Sequence, residues 1–115
     1  MLPPWGQRSG LSFLRRKRGG PLTIGAQRLV IRGRVQGVGY RDAAVQAAFE
    51  CGVHGWVRNR RDGSVEALAQ GSPDAVERFV VWCRRGPPLA RVAEVTAVDA
   101  EVDAELSAFE MRGTA

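Results

Sequence analysis

The sequence has few of the side chains that bind metals or form disulfide frameworks. Its 115 residues include two cysteines, Cys51 and Cys83, which are far apart in the chain, and a single histidine, His54. Disulfide-stabilised domains and zinc sites need several cysteines or histidines at short, regular spacings. We therefore predict free thiols and no metal site, which is typical of a protein in the reducing cytoplasm.

Long apolar runs are missing as well. No stretch approaches the ~18 consecutive apolar residues of a membrane-spanning helix. The first 26 residues also lack the apolar segment of ~7–15 residues that a secretory signal requires. At 115 residues the chain has the length of one domain, near the smaller sizes at which a single core suffices. The sequence thus predicts one domain with no membrane-spanning segment.

Acidic residues are absent from one part of the chain. Residues 1–26 contain five basic residues and no acidic one, whereas residues 27–115 contain twelve of each. The excess positive charge belongs to an N-terminal extension and not to the domain, which argues against a nucleic-acid partner. We expect this Gly-, Pro- and Arg-rich extension to be disordered; a transit peptide and an upstream start of the reading frame also fit its composition.

Hydrophobic periodicity and turn residues divide the rest of the chain into alternating elements. We predict strands at 27–35, 53–59, 64–71, 91–98 and 109–113, and helices at 41–51 and 72–86. The order βαββαβ predicts an α+β, ferredoxin-like sandwich, with a four- to five-stranded antiparallel-type sheet and two helices on one face. Right-handed crossovers make the first two strands parallel, with the third between them. The first helix is predicted to bury Ala44, Val45, Ala48 and Phe49.

The loop at residues 35–41 has the composition of an anion site. It joins the first strand to a helix N-terminus, where unpaired N–H groups and the helix dipole favour negative charge. Gly37 and Gly39 allow the backbone to fold so that successive N–H groups converge, and Arg41 adds a planar guanidinium suited to phosphate. The loop contains no serine, threonine, cysteine, aspartate or histidine. A reaction at this site therefore needs water as the nucleophile.

The predicted topology brings a second polar side chain to the same edge of the sheet. The first helix leads away from the loop, and the second strand returns to it and ends at Asn59. With one strand between them, the backbones of Arg41 and Asn59 are expected to lie ~10 Å apart, because neighbouring strands are ~4.8 Å apart. That separation accommodates a phosphate and one water molecule.

Three segments of the chain resemble the acylphosphatase family. They are "GRVQGVGYR" at 33–41, "GWVRNRRDGSVEALAQG" at 55–71 and "SPDAVERFVVWCRRGPPLARV" at 72–92, within a likeness that extends over about 27–112. The resemblance implies hydrolysis of acyl phosphates to a carboxylate and inorganic phosphate, without a metal or an organic cofactor, and we expect the enzyme to be a monomer. It also implies that Asn59 orients the attacking water and that Arg41, with the backbone amides of 36–41, holds the phosphoryl group. The residues of this predicted phosphate site are Gln36, Gly37, Val38, Gly39, Tyr40 and Arg41.

Non-catalytic modules on the same frame are the alternative. A domain that binds phosphate or carbamoyl phosphate would use the same loop, although such domains usually belong to longer chains. An RNA-recognition module places aromatic side chains on its two central strands. The corresponding positions here are not aromatic; they are Arg28, Val30, Arg32, Glu66, Leu68 and Gln70. The enzyme is therefore the favoured hypothesis, with Tyr40 and His54 expected to be structural.

Overall fold

The computed structural model describes residues 23–115, so nearly all of the predicted N-terminal extension lies outside the described residues. All seven predicted elements are present, and their bounds differ from the predicted ones by at most two residues. The strands are β1 (Gly25–Arg34), β2 (His54–Asn59), β3 (Val65–Gly71), β4 (Arg91–Ala100) and β5 (Phe109–Arg112), and the helices are α1 (Tyr40–Cys51) and α2 (Pro73–Arg85).

The strands form one sheet in the order β4-β1-β3-β2-β5. β3 is antiparallel to both β1 and β2, so β1 and β2 are parallel with β3 between them, as predicted. β5, however, is parallel to β2, which makes the sheet mixed and the antiparallel-type description wrong at this edge. β4 ends beside the start of β1, and the segment 101–108 leads to the opposite edge of the sheet. β5 therefore starts at the same end of the sheet as β1 and β2 and runs in their direction.

Both helices cover one face of the sheet, and their contact centres on aromatic side chains. Phe79 of α2 is fully buried, and its ring lies 5.3 Å from that of Phe109 on β5 and 6.2 Å from that of Trp82. The ring of Tyr40 on α1 lies 5.4 Å from the same Trp82 ring. The hydrophobic effect of burying these rings therefore joins α1, α2 and β5 in one core.

The buried face of α1 differs from the predicted one. Ala44 and Ala48 are buried as expected, but Phe49 is 82% exposed. The helix instead buries Tyr40 and Ala47, so its inward face consists of one aromatic ring and three alanines. Small side chains at these positions let α1 lie close to its neighbours, and Phe49, one residue beyond Ala48, is rotated by ~100° away from that face. Neither helix is long and apolar enough to cross a membrane, within the residues that the structure describes.

Candidate active site

The loop between β1 and α1 owes its shape to two left-handed glycines. Gly37 has φ 73° and Gly39 has φ 79°, a region that residues with a side chain rarely adopt. A Cβ built on either glycine meets no atom within 4 Å. The requirement for glycine therefore comes from the backbone conformation alone, and the space beside the loop is open.

The N–H groups of the loop have no acceptor within the described part of the chain. No backbone or side-chain oxygen of residues 23–115 accepts a hydrogen bond from the N–H groups of 36–41. After the loop, the N–H of Ala43 is the first backbone donor with an acceptor among these residues, and it donates to Gly39 O at 3.1 Å. Gly39 also supplies no side-chain cap to α1. Several donors thus lie next to one another at the positive end of the helix dipole.

A cavity of about 190 Å³ opens beside this loop and brings the two predicted catalytic residues together. Arg41 is the second residue of α1 and Asn59 is the last residue of β2, and both line the cavity. Both are partly buried, and neither side chain has a hydrogen-bond or ion-pair partner among residues 23–115. Its complete lining is Val35, Gly37, Gly39, Tyr40, Arg41, Asp42, Asn59 and Met111.

The position of Asn59 is fixed by its backbone on both sides. It pairs with Val65 in the antiparallel ladder of β2 and β3. Its carbonyl oxygen accepts from Ala115 N at 3.0 Å, and Ala115 O accepts from Arg61 N at 2.9 Å. The segment after β5 therefore continues the pairing along the end of β2, so Asn59 is not at a free edge.

Two of the predicted phosphate-site residues, Gln36 and Val38, do not line the cavity. Val38 packs against the hydrophobic core. The side-chain amide of Gln36 donates through Nε2 to Arg60 O at 2.7 Å and to Ser64 O at 2.8 Å. Only the backbone N–H groups of these two residues remain as candidates for a bound anion.

Tyr40 has a structural role, as expected. Its side chain is 2% exposed, and its hydroxyl donates to Cys83 O on α2 at 2.8 Å. Burial raises the pKa of Tyr40 well above its usual range. The hydroxyl therefore remains protonated at all ordinary pH values and ties α1 to α2 instead of exchanging protons at the cavity.

Sequence reasoning missed Asp42 and Met111, which also line the cavity. Asp42 is an acidic residue in the first turn of α1. Met111 reaches the site because β5 is parallel to β2, which pairs Met111 with Val57. Alternation along β5 places Met111 on the same face as the core residue Phe109. That signal becomes useful only once the direction of β5 is known.

Comparisons with known proteins show the family to which the chain belongs. The acylphosphatase family model matches residues 27–111. The chain belongs to the acylphosphatase family. An acylphosphatase of Azoarcus sp. (strain BH72) is 55% identical to it over 78 residues, which are 68% of this chain and 80% of the relative. The crystal structure of the acylphosphatase from Bacillus subtilis has 33% sequence identity and a TM-score of 0.73, and the match covers 76% of this chain and 98% of that one.

The same fold occurs as a small part of a much longer protein. A crystal structure of full-length HypF in a phosphate- and nucleotide-bound form matches with a TM-score of 0.75 and 28% sequence identity. The match covers 84% of this chain but 13% of HypF. The acylphosphatase fold is therefore found in both short and long chains.

Proposed function

We propose that this chain hydrolyses acyl phosphates to a carboxylate and inorganic phosphate, with Arg41 and the 36–41 amides holding the phosphoryl group and Asn59 orienting the water. One observation carries the proposal. Arg41 and Asn59 lie on elements that are separate in sequence, yet they line one cavity beside a row of N–H groups without an acceptor in residues 23–115. An arginine at a helix N-terminus is electrostatically unfavourable unless an anion binds there.

The loop and Arg41 act on the charge of the phosphoryl group. Phosphoryl transfer requires little covalent chemistry from the protein, and catalysis consists mainly of positioning and charge stabilisation. The N–H groups at the helix N-terminus donate to the phosphoryl oxygens, and the guanidinium donates two parallel hydrogen bonds. The leaving group is a carboxylate, which is stable as an anion, so no acid is needed to protonate it.

Asn59 acts on the nucleophile. Its side-chain oxygen accepts a hydrogen bond from the water, while its NH₂ group remains free to donate elsewhere. The water oxygen bonds to phosphorus as the bond from phosphorus to the acyl oxygen breaks, and that electron pair leaves with the carboxylate. The proton of the water passes to a phosphoryl oxygen. An amide that is neutral at all pH values can direct the water in this way but cannot take its proton.

The activity is tested by phosphate release from an acyl phosphate such as benzoyl phosphate and from an aryl phosphate ester such as p-nitrophenyl phosphate. The proposal predicts fast release from the first, slow release from the second, and no change after a chelator is added. A non-catalytic phosphate-binding module would release phosphate from neither. Equal rates on both substrates that fall with chelator would identify a metal-dependent phosphatase instead.

The role of Asn59 is tested with Asn59→Ala. Removal of one positioning amide lowers kcat by ~10²–10³-fold, since the interaction is made in the transition state. KM changes little, because the phosphate contacts come from the opposite side of the cavity. Steady-state kinetics on benzoyl phosphate separate the two constants. A large rise in KM at constant kcat would make Asn59 a binding residue.

The remaining expectations for this domain concern its partners, its compartment and its oligomeric state. Residues 27–115 contain equal numbers of basic and acidic residues. Nucleic-acid affinity depends mainly on excess positive charge, which the domain lacks. The two free thiols favour the reducing cytoplasm. We expect a monomer, which light scattering or analytical ultracentrifugation measures directly.

A further inference from the structure

The side chain of Gln36 connects two parts of the candidate site that are far apart in sequence. Gln36 belongs to the phosphate loop, whereas the carbonyl oxygens that its Nε2 contacts, those of Arg60 and Ser64, belong to the turn between β2 and β3. This turn starts at the residue after Asn59. The amide thus bridges the loop and the strand end that carries Asn59.

The geometry leaves the amide one orientation. Both of its partners are carbonyl oxygens, which accept only, so the NH₂ group must face them and use both of its hydrogens there. The two carbonyls lie close together because the turn is closed internally: Arg60 N donates to Ser64 O at 2.8 Å and Gly63 N donates to Arg60 O at 3.1 Å. The amide binds a turn that already has a fixed shape.

Internal bonds of the turn make it a firm anchor. The carboxylate of Asp62 accepts from Ser64 N at 2.9 Å and from Ser64 Oγ at 2.6 Å, and Ser64 is buried. A displacement of the turn therefore moves it as a unit, together with the end of β2. Gln36 does not line the cavity, and both N–H groups of its side-chain amide are used on the turn, so this side chain has no donor left for a bound phosphate.

We propose that Gln36 is a positioning residue that sets the distance between the phosphate loop and the side chain of Asn59. This inference rests on the proposed function, since it gives Gln36 a kinetic effect only through the role of Asn59. Near-attack geometry is demanding, and a displacement of ~1 Å can cost ~10²-fold in rate. The phosphate itself is held by backbone N–H groups and Arg41, which Gln36 does not contact through its side chain.

The test substitutes Gln36→Met, which keeps the length of the side chain and removes both donors. We expect kcat on benzoyl phosphate to fall ~10–100-fold, while the inhibition constant for inorganic phosphate changes by less than about threefold. An inhibition constant that rises as much as kcat falls would show that Gln36 shapes the phosphate loop itself, and the inference would be wrong.

The matched control is Gln70→Met. Gln70 is a buried glutamine whose side chain, like that of the partly buried Gln36, bonds backbone atoms: its Nε2 donates to Asp103 O at 2.9 Å and its Oε1 accepts from Asp103 N at 2.7 Å. It lies in the opposite half of β3 from Val65, which pairs with Asn59. The two variants should lose similar amounts of thermal stability, but only Gln36→Met should lose kcat. Equal losses of kcat in both would mean a general effect of destabilisation.

A double-mutant cycle with Asn59→Ala shows whether Gln36 acts through Asn59. If it does, Gln36→Met lowers kcat by less than about threefold once Asn59 is an alanine. Effects that multiply would refute the inference while the proposed function stands. If Asn59→Ala alone leaves kcat unchanged, the proposed role of Asn59 fails, and the inference fails with it.

Discussion

A glutamine amide ties neighbouring segments together at each end of the sheet, and the two ends differ in what surrounds it. At the end of the sheet away from the cavity, which we call the far end, the side-chain amide of Gln70 bonds the backbone of Asp103. Its Nε2 donates and its Oε1 accepts, and together they hold the segment after β4. At the site end, Gln36 holds a turn, but Arg41 and Asn59 beside it have no partner among residues 23–115. Donors without a protein partner around one cavity are what the proposed binding of a phosphate requires.

Charge also distinguishes the two ends. The site end carries Arg34 and Arg91, which lie opposite each other in the ladder of β1 and β4. It also carries Arg60 and Arg61 in the turn between β2 and β3. The far end follows Ala100 with Glu101, Asp103 and Glu105. An anionic substrate is therefore attracted to the end of the sheet that holds the cavity.

The largest expected effect is that of Arg41→Ala. By analogy with catalytic arginines in other phosphoryl-transfer enzymes, kcat/KM on benzoyl phosphate should fall by ~10³-fold or more, with the fold intact by circular dichroism. The far-end control is Arg78→Ala, which removes an exposed side chain that donates to Cys51 O at 3.2 Å and should leave turnover unchanged. If the two variants kept equal activity, the contrast between the ends would have no functional meaning.

A stability effect is expected at the far end. Gln27 is 2% exposed, and its Oε1 is buried without a partner among the described residues. Unlike the groups at the site, this atom lies inside the core, so it costs stability and offers nothing to a ligand. Gln27→Met should raise the free energy of unfolding by about 1 kcal/mol, measured by urea denaturation, without a change in kcat. The substitution also removes the hydrogen bond from Gln27 Nε2 to Asp99 Oδ1, at 3.4 Å, and a destabilised variant would show that this bond outweighs the cost of burying the unpaired oxygen.

Asp42 tests whether the site contains a base. Asp42 lines the cavity, and the negative charge of its side chain opposes phosphate binding there. If the proton of the water passes to the phosphate, Asp42→Asn should keep kcat and lower the inhibition constant for inorganic phosphate by about threefold. A fall in kcat of ~10²-fold or more would instead identify Asp42 as the general base.

The smallest effect concerns pH and the turn at the site end. Hydrogen bonds from the side chain and backbone of Ser64 lower the pKa of Asp62 to about 2. A carboxyl whose pKa is lower in the folded than in the unfolded state, where it is ~3.9, stabilises the fold above about pH 4 and loses this contribution as the pH falls towards 2. The stability difference between the unaltered protein and Asp62→Ala should shrink over that interval. Gln70→Met should show a difference that does not vary with pH, because an amide does not titrate.

The sequence predicts those features of the site that local chemistry determines. Gly37 and Gly39 have the left-handed backbone that their pattern suggests, and a right-handed crossover is sufficient to bring Asn59 to the loop. The antiparallel-type description of the sheet was wrong at β5, and Met111 was missed as a cavity residue. Both depend on the path of the connection 101–108, which local sequence does not determine. The prediction that Phe49 is buried was wrong, because helical periodicity alone does not distinguish two helix faces that differ by one residue. The contacts of Gln36 depend on tertiary structure, to which its neighbours in sequence give no guide.

The phosphate site is tested most directly by locating bound inorganic phosphate. Backbone and side-chain amide chemical shifts are measured while inorganic phosphate is added. The shifts should change mainly for the amides of 36–41 and for the side chain of Asn59. These changes should disappear in Arg41→Ala at the same phosphate concentrations. Changes centred on the far end near Gln70, or a titration that Arg41→Ala leaves unaltered, would contradict it.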